Sequence, residues 1–229
     1  MPMPAGDRNP QPNRLRVLVL GDGRNDRGSC RPVPCTPEIA ESQVGAVHVL
    51  VRRIVVELLR GPMPAFVAPM PRARGFRAGW PGVCHDLLGH ITHPRDRTGE
   101  KLLQPYVAAN GHGLDLVVVV CDSGRDDPAQ ICRALHRAIG ESRLYAARTA
   151  IGTPQPGIEA WLLGCTALPG EDEQVLKQRL RDAIGGSSTR EYRGRAESID
   201  VHGLFRAEGP FRNLALAIAG ILGLAPPDK

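Results

Sequence analysis

Val117-Val118-Val119-Val120-Cys121-Asp122-Ser123-Gly124-Arg125-Asp126-Asp127 is the stretch on which the fold of this chain turns. Consecutive β-branched residues that run into Gly and Asp predict a buried central strand of a parallel sheet, with a loop at its carboxyl end. In open α/β sheets that end is where ligands bind. The carboxylates of Asp122, Asp126 and Asp127 crowd that loop and repel one another unless protons or a cation intervene. A second strand, Leu15-Arg16-Val17-Leu18-Val19-Leu20, runs into Gly21-Asp22-Gly23-Arg24-Asn25-Asp26. Acids at both strand ends predict one divalent-metal site built by the fold.

Helical and extended segments alternate around these strands. A helix is expected over 37–60, where Val44, Val47, Val51, Ile54, Val55 and Leu58 recur at helical spacing and Gly61-Pro62 stops it. Phe66-Val67 reads as a short strand inside an irregular insertion of about 62–96. A helix over 98–109, the valine strand over 114–120 and a helix over 128–140 opened by Pro128 follow. A strand is expected over 143–151, then a turn over 152–157 and helices over 158–163, 171–184 and 210–224. Residues 185–188 read as a linker, and 189–209 as a polar stretch. The alternation predicts an α/β fold with a mostly parallel central sheet flanked by helices. One domain is expected over 14–224, preceded by a disordered Pro-rich tail over 1–13.

Composition narrows the class. The chain has 229 residues, of which 42% are hydrophobic but only 4% aromatic, so its core must be aliphatic. No segment approaches the roughly 20 apolar residues of a membrane span, and residues 1–13 lack the apolar run of a signal peptide. The six cysteines are scattered and do not form a secreted disulfide framework. The expectation is a cytoplasmic protein with no membrane partner. A net charge of +5, carried mostly by arginine, suits phosphate-bearing partners; a genome that writes Arg for Lys would produce the same charge. Arg72, Arg74 and Arg77, interleaved with Phe76 and Trp80, are candidates for gripping a nucleic-acid backbone and stacking on a base. Arg190, Arg193 and Arg195 form a second basic cluster.

Other chemistries are weaker. Cys84, His85, His90 and His93 carry zinc-type ligands, but their spacing matches no common finger. The dinucleotide fingerprint fails at Asp26, and a P-loop is absent. Trp161 reads as a core residue. Candidate oxygen ligands are Asp22 and Asp26 after the first strand, Asp122, Asp126 and Asp127 after the valine strand, and Glu159. A Mg²⁺ ion is commonly held by one or two carboxylates, with substrate phosphates completing its shell. Single Asp residues in such loops also cap helices and hold turns. The coincidence of two acidic strand ends is what favours a metal.

These segments, followed by Ile158-Glu159-Ala160-Trp161-Leu162-Leu163, resemble the TOPRIM fold, and in particular small stand-alone TOPRIM-like relatives of overcoming-lysogenisation-defect (OLD) nucleases. In those proteins a Glu-Gly pair ends the first strand, an Asp-x-Asp motif ends a later one, and a Glu-Ala-Trp-Leu-Leu segment follows. The resemblance spans most of 14–165. It departs at Asp22-Gly23, at Gly124 in place of the second motif acid, and at Gly164-Cys165. The resemblance implies phosphodiester hydrolysis on nucleic acid with Mg²⁺ (or Mn²⁺), in defence or repair. It implies Asp22 and Asp122 as catalytic residues, and Asp22, Asp26, Asp122, Asp126 and Glu159 around the metal. Related nucleases work with ATPase modules, so a partner ATPase is also implied. Gly124 favours the rival expectation, a catalytically silent TOPRIM-like binding or scaffold protein.

Overall fold

The computed structural model describes residues 14–21, 38–67, 114–140 and 148–227. Four strands form one all-parallel sheet: β1 (Leu15–Gly21), β2 (Pro64–Val67), β3 (Leu116–Val120) and β4 (Thr149–Gly152), in the order β2-β1-β3-β4. Among the described residues, seven α-helices accompany them: α1 (Ala46–Arg53), α2 (Pro128–Gly140), α3 (Ile158–Leu162), α4 (Glu173–Ile184), α5 (Thr189–Ser198), α6 (Val201–Arg206) and α7 (Pro210–Leu222). The chain is therefore an α/β protein with a parallel sheet flanked by helices, as the alternation of segments predicts. The expected tail over 1–13, the expected helix over 98–109 and the insertion beyond Val67 lie outside the described residues.

The strand residues are buried on both faces, which accounts for their nearly unbroken apolar run. Val17, Val19, Leu116, Val118 and Ala150 face a core shared with α1, α6 and α7. Leu18, Leu20, Val117 and Val119 are equally buried and point to the opposite face by strand alternation. Gly152 marks the tightest packing against the sheet. A Cβ there would stand 3.0 Å from both Leu214 Cδ2 and Trp161 Cη2, so glycine lets α7 and the indole lie directly on β4. Trp161 is fully buried and meets Phe211 edge to face at 5.4 Å, the core role expected of it.

The expected helix over 37–60 is shorter. Ile39 donates its N–H to Phe66 O at 2.8 Å, and Glu38 bridges to Val67, so this part of the chain pairs with β2 instead of coiling. A 3₁₀ turn (Glu41–Gln43) follows, Val44 is extended, and α1 begins only after Gly45. It continues into a π-type segment, Ile54–Leu58. The polar stretch 189–209 is two helices. Ser188 and Glu191 form a capping box at the start of α5, and the Asp200 carboxylate accepts the Gly203 N–H at the start of α6. Tyr192 and Ala196, one turn apart, supply the buried stripe of α5. The strand expected over 143–151 is described from Thr149 to Gly152.

Candidate functional site

The order β2-β1-β3-β4 reverses direction between β1 and β3, whose carboxyl ends pair in register at Gly21 and Val120. This is the topological switch point, where open α/β sheets bind ligands. Asp22 and Asp26, which follow β1, lie outside the described residues.

The loop after β3 is tied to the loop after β4. Cys121 N–H donates to Gly152 O at 3.0 Å, Ser123 N–H to Pro154 O at 3.0 Å, and Gly124 N–H to Pro156 O at 2.7 Å. The Ser123 hydroxyl also donates to Pro154 O at 2.9 Å. Asp122 is thereby held between two anchored neighbours. Its Oδ1 accepts the Ile158 N–H at 3.0 Å and caps the start of α3.

Glu159, in the same first turn, is only 4% exposed. A Cβ placed on Gly157 would lie 2.8 Å from Glu159 Oε2 and 3.2 Å from Asp122 Oδ2. Both carboxylates thus lean over one backbone position that carries no side chain. The Tyr192 hydroxyl, from α5, donates to Glu159 Oε1 at 3.4 Å. From α4, Lys177 pairs with Glu173. Burial pulls the Lys177 ammonium down, but its hydrogen bond to Glu173 and the charges of Glu159, Glu173 and Asp122 outweigh that, so its pKa stands above the ordinary lysine value. Two carboxylates, an ammonium and a phenol therefore gather from the β3 loop and three helices.

Two carboxylates beside a bare glycine fit the one or two that Mg²⁺ requires of a protein. Among the described residues, no group of three or more His, Cys, Asp or Glu side chains gathers around a common point. Asp126 is exposed, and its backbone closes a turn with Ser123. Asp127 Oδ1 caps α2 by accepting the Ala129 N–H at 2.9 Å. The arginines of the second basic cluster are partly committed elsewhere. Arg193 donates to Glu41 O at 3.1 Å, and Arg195 donates to Leu162 O at 2.7 Å. Arg72, Arg74, Arg77, Cys84, His85, His90 and His93 lie outside the described residues.

Sequence inspection missed Lys177 and Tyr192. The available signal for Lys177 was its place beside Leu176 on the buried stripe of α4, with Glu173 one turn earlier. Among the described residues, no helix is long and apolar enough to cross a membrane. Comparison with family models, curated proteins and solved structures finds no match to this chain.

Proposed function

We propose that this chain is a TOPRIM-like phosphodiesterase that hydrolyses nucleic acid with Mg²⁺ or Mn²⁺. The observation that carries the reading is the pairing of Asp122 and Glu159 over Gly157 at the carboxyl end of β3, beside the switch point. Asp122 and Glu159 would hold the ion, with Asp22 and Asp26 as further ligands on the strength of the resemblance. When bound, such an ion polarises a phosphoryl oxygen and acidifies water.

The chain's own residues supply the rest. Tyr192 orients Glu159 through its hydroxyl. The bonds from Ser123 and Gly124 to the β4 loop hold Asp122 in place. Lys177 offsets negative charge that two carboxylates would otherwise turn toward a phosphodiester anion. A partner ATPase belongs to this reading through the resemblance, because related nucleases work with ATPase modules.

The second reading is a silent scaffold. The charge of Lys177 acts on both carboxylates without any metal, and the second motif acid is absent at Gly124, where φ is +57°. Labelled single- and double-stranded DNA and RNA, incubated with Mg²⁺ or Mn²⁺, separate the two. The expected result is cleavage of at least one substrate, reduced about 100-fold or more in Asp122→Asn and Glu159→Gln. Absence of cleavage assigns the scaffold role, and cleavage by both variants at the wild-type rate removes Asp122 and Glu159 from the chemistry.

A further inference from the structure

A cavity of about 360 Å³ opens beside the acidic loop, between the start of α2, the residues after β4 and the start of α7. It lies at the same carboxyl edge of the sheet as Asp122, because Thr153 and Gln155 on its wall directly follow β4. Its volume falls within the usual range for small-ligand sites. Ile151, Ala167 and Pro210 give it apolar surface.

Its uncharged polar groups are Thr153, Gln155 and Asn213; Asp127, Cys132 and Arg133 at the start of α2 complete the polar wall. Thr153 is only 5% exposed, lines the cavity, and makes no side-chain hydrogen bond among the described residues. A hydroxyl on a cavity wall supplies one donor and an acceptor to whatever enters. Gln155 spends an amide N–H on Asp126 O at 3.1 Å, which fixes its orientation and leaves its carbonyl oxygen as an acceptor. Asn213, on the first turn of α7, adds a second amide. Neutral donors and acceptors beside apolar surface match a flat ring with a hydrogen-bonding edge.

We propose that this cavity receives a nucleobase turned out of the strand whose backbone lies at the acidic site. The inference rests on the nucleic-acid reading above and deepens it, because it makes the base beside the scissile phosphate a specificity element. Thr153, Gln155 and Asn213 read the base edge, and Ile151, Ala167 and Pro210 cover its faces.

The test is equilibrium binding of a fluorescent single-stranded oligonucleotide and its abasic counterpart to the full chain, without divalent cation. The wild type should prefer the base-bearing strand by about tenfold, the scale of one base contact. Thr153→Val and Ala167→Trp should bring that preference close to one while leaving affinity for the abasic strand unchanged. Equal affinity of the wild type for both strands overturns the proposal, as does an undiminished preference in folded Ala167→Trp. Nucleoside monophosphates titrated alone should bind at least about tenfold more weakly than the strand; equal affinity would assign the cavity to a free nucleotide instead. A chain that discriminates the base yet never cleaves loses only the hydrolysis reading. A chain that cleaves both strands alike loses only the base cavity.

Discussion

The Asp122 carboxylate accepts the Ile158 N–H at 3.0 Å across 36 positions of sequence. One side chain therefore caps α3 and also faces Glu159 over Gly157. Structural and chemical roles meet in the same group, and substitutions can pull them apart.

Asp122→Ala should cost about 1 kcal/mol of stability, the usual loss when a helix-capping oxygen is removed. Asp122→Asn keeps an oxygen for Ile158 and should cost less. Urea unfolding of the three proteins measures the difference. If the function proposed above is right, both variants lose cleavage alike, because both lose the charge. An Asn variant as unstable as the Ala variant would show that the Ile158 bond contributes little.

Gly157→Ala tests the carboxylate cradle. The backbone there is extended, with φ −153° and ψ 178°, a conformation open to any residue. The new methyl, however, would stand 2.8 Å from Glu159 Oε2 and must displace it. The chain should stay folded by circular dichroism while cleavage falls about 100-fold, as expected for a misplacement near the ångström scale. The rise in melting temperature with Mn²⁺ should shrink in parallel. Wild-type cleavage in this variant would remove Gly157 and its two neighbours from the site.

Lys177 sets an alkaline dependence. Its folded pKa is raised above the ordinary 10.5 by Glu173, Glu159 and Asp122, against the opposing effect of burial. A raised pKa of this kind contributes stability that is fully present below the unfolded value and lost as pH rises through the higher folded one. Lys177→Gln should therefore flatten the fall in stability at the alkaline end, as pH rises above the ordinary lysine value of 10.5. Urea midpoints across that range measure it. An unchanged alkaline slope would mean that Lys177 is not coupled to the carboxylates.

Much of the scaffold was legible before any coordinates. The valine run and, apart from Arg16, the Leu15–Leu20 segment are β-branched or aliphatic, as in a strand buried on both faces. The helices over 128–140 and 210–222 carry apolar residues at regular spacing and proline at entry. The stretch 189–209 was illegible as helix because only a few of its residues face the core, and its stability comes from caps and from packing on α1. The start of α1 was misjudged because Ile39 has an alternative partner in Phe66 O, which local spacing does not reveal.

Half of the described site followed from sequence as well. Asp122 and Glu159 stand out as acids at the end of a strand and at the start of a helix. Gly124 was visible as a missing acid. Its left-handed backbone, φ +57°, supplies a physical reason for glycine, because a side chain there meets steric strain. Lys177 and Tyr192 lie 18 and 33 residues beyond Glu159, and nothing in their local sequence ties either to the acids.

The order of residues alone determined the strands that carry Leu15–Leu20 and the valine run and the helices that open at Pro128 and Pro210, because hydrophobic spacing along a strand or helix is a property of near neighbours. Only the tertiary structure decided that Asp122 and Glu159 lean over Gly157, that Tyr192 bonds Glu159 and the Lys177 charge acts on both carboxylates, and that a cavity opens beside them. Charges and hydroxyls from separate elements meet where layers pack, and packing depends on the shapes of all the buried side chains together.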